Sequence, residues 1–362
     1  MNPVKLVEIF YNNQKLGRLT ITNDWLCAFE YDALYINKGV SISPLDLPLK
    51  PGVFIAKRAP FDGNFGVFDD CLPDGWGLLI LDRYLLSKGI KLASLTIPER
   101  LSLVGSTGRG ALEFRPDQSQ WSKEVKTDFD YLASEAQKIL DNRLYVWQSI
   151  EELYLKGGSP GGARPKVFVQ FEDKEWLVKF RSQNDPENIG QIEYHYSQLA
   201  KKCSIEMTET RLFENKYFGT VRFDRNSKGI IHVVSAAGLL NADFRIPSID
   251  YIQLFQLNQY ITRNILEKWK FFRLMVFNFL IGNKDDHAKN FSFLLTENEW
   301  HLAPAYDILP SYGIRGYHTT SINNNSNPRK EDIMELAKKF DLPRNQSNII
   351  YDEMYEIIKK EL

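Results

Sequence analysis

The sequence predicts an α+β protein: a small β-rich N-terminal part followed by a part whose C-terminal region is mainly α-helical. Three observations carry this. Residues 4–11 and 16–21 alternate apolar and polar side chains as half-buried strands do, and 25–31 and 53–56 continue the pattern. From residue 250 to the end the apolar spacing is mostly helical, interrupted by residues 282–307 and by the polar loop 323–329. Between them, residues 115–128 turn polar, which sets a domain boundary and divides the chain into 1–118 and 119–362.

In chain order, Asn12, Asn13, Gln14 and Lys15 form the turn of a first hairpin. Residues 69–82 read as a turn feeding a helix that runs through Leu86. Residues 104–114 hold Gly105, Gly108 and Gly110, but no Lys or Thr follows at phosphate-loop spacing and no helix opens. They read as a structural turn before a short strand. Residues 129–142 are helical, with Leu132, Ala136 and Leu140 on one face, and 150–155 extend the helical region.

Composition narrows the function classes. The chain has 362 residues, 43% hydrophobic and 13% aromatic, which suits a well-buried protein long enough for two domains. A formal charge of -1 offers no basic excess, so nucleic acid is not implied as a primary ligand. Cys27, Cys71 and Cys203 are scattered and lack metal spacing, as reduced core thiols in a reducing compartment are. The N-terminus has no signal-peptide pattern, and the most apolar run, 271–281, contains Arg273 and Asn278 and is too short to span a bilayer. A cytoplasmic protein with no membrane partner is expected.

The chemistry concentrates in residues 282–307. An apolar helix leads in, with Trp269, Phe272, Val276, Phe279 and Leu280 at helical spacing on one face, and Gly282 stops it. Residues 291–295 and 300–303 form a hairpin signal. Asp285 and Asn290 therefore sit in a loop before the hairpin, and Asp307 just after it. Phosphoryl transfer uses this layout: a carboxylate takes the proton of the attacking hydroxyl, an amide oxygen five residues on reaches a metal ion, and a second carboxylate holds that metal against the phosphates. His287, inside the loop, is placed to orient Asp285 or to contact phosphate. His195, His232, His301 and His318 lack ligand spacing and read as structural.

A second set lies upstream. Residues 157–166 read Gly-Gly-Ser-Pro-Gly-Gly-Ala-Arg-Pro-Lys before the strand 167–170. Glycines let backbone N–H groups approach a polyphosphate, though the same composition makes a flexible loop. The next strand, 175–180, carries Lys179 between apolar neighbours, and a lysine there needs an anionic partner. Kinases supply a phosphate and a helix glutamate. Glu193 lies on the helix predicted over 189–203, whose Ile192, Tyr196 and Leu199 face inward. Residues 218–224 read equally as a plain sheet strand or as a strand whose exit reads the adenine edge.

With these pieces assembled, the sequence resembles the HipA family of serine/threonine kinases, the toxin halves of bacterial toxin–antitoxin pairs. The likeness rests on residues 285–292 (Asp-Asp-His-Ala-Lys-Asn-Phe-Ser) and 304–307 (Pro-Ala-Tyr-Asp). It extends over 159–166, 177–179 and 222–225 (Arg-Phe-Asp-Arg). In the N-terminal half it covers 68–75 and 108–112. The resemblance implies a two-lobed protein-kinase-like domain behind a small N-terminal accessory domain, with a nucleotide lobe over about 119–230 and a helical lobe over about 231–362. It implies ATP and Mg2+ as cofactors. Asp285 would be the general base, and Asn290 and Asp307 the metal ligands. Gly161, Gly162, Ala163, Arg164, Pro165 and Lys166 would cover the phosphates, Lys179 would meet them, and Val221, Arg222 and Phe223 would form the adenine hinge. His287, Ala288, Lys289 and Tyr306 would line the nucleotide site, and Ser159 would be the autophosphorylation position. Implied partners are a protein substrate such as an aminoacyl-tRNA synthetase and a small helix-turn-helix antitoxin, through which alone DNA would be met. Some members carry an acidic hinge residue where Val221 stands. Two other readings fit the same residues: a small-molecule kinase, and a catalytically dead co-repressor of the same fold.

Overall fold

In the computed structural model the first hairpin is closed by two residues rather than four. Asn12 and Asn13 both take positive φ, 49° and 61°, the two-residue turn whose twist matches the flanking strands, so Gln14 and Lys15 already belong to the second strand. The structure describes residues 3–120, 128–141, 147–157 and 162–362. They fall into two compact units, Met1–Ile192 with Glu209–Val233, and Glu193–Thr208 with Val234–Leu362.

The first unit opens with a five-stranded antiparallel sheet in the order Val53–Ile55, Cys27–Tyr31, Gln14–Ile21, Leu6–Tyr11, Leu112–Arg115. Val7 and Ile9, two apart, are fully buried, as period-2 patterning requires. So are Leu19, which pairs in register with Val7, and Phe29, which pairs with Leu19; Leu16 is buried at the irregularity where the register shifts. The expected turn and helix over 69–86 form as helix Gly75–Ser87. Helix Ile97–Val104 was not foreseen, although its capping box, Thr96 with Glu99, and Pro98 in the first turn are written in the sequence. Helices Phe129–Leu140 and Trp147–Gly157 follow.

A second antiparallel sheet has the order Lys166–Phe171, Lys174–Lys179, Tyr217–Val221, Thr210–Phe213. Its Val167, Trp176 and Val178 share one apolar core with Trp76, Ile80 and Leu85 of helix Gly75–Ser87 and with Phe129, Leu132 and Leu153. Helix Gly75–Ser87 thus supplies part of the floor of this sheet.

Helix Ile189–Lys202 carries the chain from the first unit into the second. Its buried positions are Glu193, Ser197, Leu199 and Ala200, whereas Ile192 and Tyr196 are only half-buried, so the inward face is more polar than expected. The second unit holds helices Tyr251–Thr262, Ile265–Ile281, Lys330–Lys339 and Arg344–Glu361, and the hairpin Ser292–Thr296 with Glu299–Leu302. Helix Ile265–Ile281 departs from the single-stripe expectation: Phe271, Phe272, Leu274, Met275, Val276 and Phe277 are all buried, while Trp269, Phe279 and Leu280 are half-buried. The buried positions spread well beyond one stripe, leaving a half-buried line through Trp269, Arg273 and Leu280. Among the described residues no helix is long and apolar enough to cross a membrane.

Candidate active site

The loop between the central helix and the hairpin begins at Gly282, whose φ of 69° caps Ile265–Ile281 in the left-handed region. Asn283 then ties the loop back. Its Nδ2 donates to Asn278 Oδ1 at 3.1 Å and to the Asp307 carbonyl at 3.3 Å. Asp307 has φ 52°, a conformation that a short polar side chain tolerates better than a branched one. Asn283 thereby links the helix end to Asp307 across the hairpin.

The two adjacent aspartates have opposite fates. Asp286 is 1% exposed and accepts from Tyr251 Oη, His318 Nδ1 and the Thr319 and Thr320 backbone N–H groups, at 3.0–3.1 Å. Thr320 Oγ1 also donates to the Asp286 carbonyl. Asp285 is exposed. One carboxylate of the pair is thus anchored inward while its neighbour faces solvent.

Asn290 closes a short 3-10 turn, Ala288–Asn290, and its Nδ2 donates to the Asp285 carbonyl at 2.7 Å. That bond uses the amide nitrogen and leaves Oδ1 as the atom offered to a cation. Tyr306 Oη donates to the Lys289 carbonyl at 2.7 Å, pinning the same turn from the hairpin's far side. Lys289 is 9% exposed, with Nζ 4.5 Å above the Phe244 ring, and the His287 ring lies 5.8 Å from that same ring. His287 Nδ1 is buried with no hydrogen-bond partner among the described residues.

A carboxylate and an amide oxygen are hard donors, the kind magnesium takes. Magnesium commonly keeps waters and substrate phosphates for its other positions, so two protein oxygens, from Asn290 and Asp307, suffice. The residues present fit that ion.

The first unit carries the glycine-loop and lysine residues. Lys166 and Lys179 face each other across one rung of the antiparallel pair and are 4% and 7% exposed. Directly opposed side chains share a face, and two ammonium groups on one rung repel unless anionic charge lies near. Lys179 Nζ also stands 5.6 Å over the Phe218 ring. Gly162, at φ 89°, passes directly over Lys166: a Cβ there would sit 2.6 Å from Lys166 Nζ. Its N–H donates to the Asp74 carboxylate, and its carbonyl accepts from Trp76 N–H at 2.9 Å. Ala163 is exposed, and the Pro165 carbonyl accepts from Phe180 N–H at 2.7 Å. The Arg164 guanidinium is held in a two-pronged pair with Asp185, at 2.9 and 3.0 Å. Ser159 and Gly161 lie outside the described residues.

At the proposed hinge, Val221 N–H donates to the Glu209 carbonyl and Arg222 N–H to the Glu175 carbonyl, both at 2.9 Å. The Arg222 side chain is committed to a buried network. It donates to both Asp224 oxygens at 2.9 and 2.7 Å and to Glu175 Oε1 at 2.5 Å. Asp224 also accepts from Gly110 N–H at 2.9 Å and from Arg225 at 2.9 Å. Burial pushes the Asp224 carboxyl up, but the two guanidiniums and the Gly110 N–H outweigh it and hold it well below the usual carboxylate range. Phe223 lies 5.9 Å beneath the Arg109 guanidinium.

Sequence reasoning did not single out Asp74, Asn283, Asp286 or Asp224 as supporting groups. Asp74 follows a proline and precedes a glycine at a helix start, a signal of a constrained turn. The rest each depend on a partner 24 to 114 positions away.

Comparison with known proteins bears on the whole chain. Residues 158–362 match the family described as HipA-like C-terminal domain, and residues 7–115 the HipA N-terminal domain. A Sinorhizobium fredii protein named as a candidate kinase, Y4dM, is 23% identical over 99% of this chain and 91% of its own. A candidate kinase from Haemophilus influenzae is 25% identical over 42% of this chain and 53% of its own. The solved HipA of Shewanella oneidensis MR-1, in complex with HipB and its operator DNA, superposes with a TM-score of 0.70 at 19% identity, covering 98% of this chain and 91% of that one. Its likeness gives the kinase-like HipA fold, and with both halves matched, the chain belongs to the HipA family.

Proposed function

We propose that this chain is an ATP- and magnesium-dependent protein serine/threonine kinase that serves as the toxin of a toxin–antitoxin pair. The observation that carries the reading is the division of labour at Asp285 and Asp286. One carboxylate is locked by four hydrogen bonds, its neighbour is presented to solvent, Asn290 bonds the Asp285 carbonyl, and Asn283, two residues before Asp285, bonds the Asp307 carbonyl. A merely structural loop has no need of an exposed carboxylate held by so much support.

In this mechanism the substrate hydroxyl oxygen bonds to the γ-phosphorus while the bond to the β,γ-bridging oxygen breaks. The hydroxyl proton passes to Asp285, and the bridging oxygen leaves with its electron pair as ADP. Asn290 and Asp307 would hold magnesium, which when bound would neutralise phosphate charge. Lys166 and Lys179 meet the phosphates on the face beneath Gly162, with Ala163, Arg164 and Pro165 completing the loop. Val221, Arg222 and Phe223 form the adenine hinge in this reading, with the Val221 and Arg222 N–H groups held in the sheet by Glu209 and Glu175, and His287, Ala288, Lys289 and Tyr306 shape the nucleotide side of the loop. Gly161 and Ser159 belong to the same loop by sequence, and Ser159 is the proposed self-phosphorylation position, where about -1.5 to -2 added charges would repel the nucleotide.

The substrate is read as a component of translation such as an aminoacyl-tRNA synthetase. The partner is read as a small helix-turn-helix antitoxin, by analogy with the Shewanella protein solved with HipB and operator DNA. With a net charge of -1, DNA would be met through that partner's basic surface. Residence in the cytoplasm is part of this reading.

The test is incubation with ATP, magnesium and a cell lysate, read by phosphoproteomics. Asp285→Asn is expected to lower phosphoryl transfer by about 100-fold or more, the usual worth of a general base. It should still fold, because Asn290 bonds the residue 285 carbonyl and not its side chain. Turnover within tenfold of wild type would remove Asp285 from the mechanism. Phosphate appearing only on small molecules would favour the small-molecule kinase, and no transfer with nucleotide still bound would favour the co-repressor.

A further inference from the structure

Past Asp307 the chain forms a loop, residues 311–318, whose exposed side chains have no role in the reading above. Tyr312 is 81% exposed, Tyr317 51% and Ile314 46%. Three large apolar groups displayed within so short a stretch mark an interaction surface.

The loop is built rather than slack. Ile314 and Tyr317 pair as an antiparallel bridge, with Tyr317 N–H donating to the Ile314 carbonyl at 3.1 Å. Gly313 and Gly316 take φ of 67° and 83°. A Cβ on Gly313 would lie 2.2 Å from the Tyr317 carbonyl and 2.6 Å from Lys284 Cβ, so glycine is required there. Tyr312 lies beside Gly316, its ring edge 4.0 Å from where a Cβ would be.

The same loop is fastened to the residues just before Asp285. Asn283 pairs with Ser311, and Ser311 N–H donates to the Gly282 carbonyl at 3.1 Å. Lys284 Nζ donates to the Gly316 carbonyl at 2.8 Å, while the Lys284 carbonyl accepts from Thr319 N–H and Oγ1 at 3.0 Å each. His318 and Thr319, at its far end, hold Asp286. The platform and the exposed carboxylate are therefore parts of one fixed piece of the second unit.

Arg315, at the tip, is exposed and makes no ion pair among the described residues. Lys284 spends its ammonium on the Gly316 carbonyl. One uncommitted cation among aromatic groups does not make a phosphate-binding surface, which argues against nucleic acid or an anionic membrane as the occupant. Rigidly presented tyrosines give large contact area at small entropic cost, which suits a peptide chain.

Resting on the kinase reading, we propose that residues 311–318 are the docking platform for the extended protein segment that carries the acceptor hydroxyl, and that they select an apolar or aromatic side chain beside an acidic one. Tyr312, Ile314 and Tyr317 bind the apolar side chain, and Arg315 pairs with the acidic one.

The experiment uses the full chain, radiolabelled ATP and a serine-centred peptide library in which one flanking position is fixed at a time. The wild type is expected to prefer an apolar or aromatic residue at one flank and an acidic residue near it. The triple variant Tyr312→Ala, Ile314→Ala, Tyr317→Ala should lose roughly 30-fold in kcat/KM on the preferred peptides, through KM, the size expected when central aromatic contacts are removed. Its ATP hydrolysis without peptide should be unchanged, and its melting curve should match wild type. Arg315→Glu should abolish or reverse the acidic preference. Wild-type rates on preferred peptides in the triple variant would overturn the proposal. So would a wild type that hydrolyses ATP yet phosphorylates no library peptide. A chain that neither binds nor hydrolyses ATP would overturn the kinase reading itself, a distinct result that takes this proposal with it.

Discussion

A carboxylate's worth depends on what surrounds it, and Asp285 and Asp286 separate the two extremes within one dipeptide. Asp286 satisfies two side-chain donors and two backbone N–H groups in the interior. Asp286→Asn replaces an acceptor-only group with one that must donate, so it is expected to destabilise by about 3 kcal/mol, visible as a lower Tm. Asp285→Asn should leave Tm unchanged, and equal Tm losses would contradict the division of roles. His232 offers a separate test. It is 1% exposed, its Nε2 lies 3.0 Å from the Ile42 carbonyl, and burial lowers its pKa from 6.5 to about 4. A depressed folded-state value favours the neutral ring in the native state. Its contribution is therefore intact above pH 6.5, erodes as pH falls from there toward 4, and is fully lost below. Over that window the native state should lose roughly 3 kcal/mol that a His232→Gln variant would not lose. Chemical denaturation at pH 7 and pH 4 measures the difference, and identical slopes would exclude His232 as the cause.

Among elements, the start of helix Gly75–Ser87 is also the seat of the glycine loop. Asp74 takes the Gly162 N–H, Trp76 donates to the Gly162 carbonyl, and Gly75 sits beneath with φ 44°. A Cβ on Gly75 would come within 2.5 Å of that carbonyl. Gly75→Ala must therefore displace the loop as well as strain its own backbone. ATP affinity is expected to fall about tenfold, the effect of 1–2 kcal/mol at a strained contact. Titration with a fluorescent ATP analogue checks this, and unchanged affinity would separate Gly162 from nucleotide binding. The buried Arg222–Asp224–Arg225 group works in the same way, joining the turn at Gly108 and Gly110 to the strand exit at Val221.

At the scale of the whole molecule, the first unit spans both family matches, because helix Gly75–Ser87 and the sheet with Lys166–Phe171 share a core. Removing residues 1–118 would bare Trp176, Val167, Phe129 and their neighbours. Burial of side chains of this size is worth about 1.5–3 kcal/mol each, so the truncated chain is expected to aggregate or remain unfolded. A soluble, cooperatively melting fragment from residue 119 onward would show that the remaining core suffices.

By itself the sequence determined what local rules decide. The hairpin alternation, the stop at Gly282, the loop carrying Asp285 and Asn290 ahead of a hairpin, and the lysine in an apolar strand each depend on neighbours within a few positions. The capping box at Thr96 was equally local and went unread. Tertiary structure alone decided which of two adjacent aspartates is anchored, since Tyr251, His318, Thr319 and Thr320 lie 32 to 35 residues away. It decided that helix Ile265–Ile281 is buried over more than one stripe, that Lys166 stands opposite Lys179, and that Asp74 grips Gly162 from 88 residues upstream. The physical reason is the same in each case: periodicity reports the face an element prefers to bury, whereas hydrogen-bond partners and opposed charges are chosen by packing among elements distant in the chain.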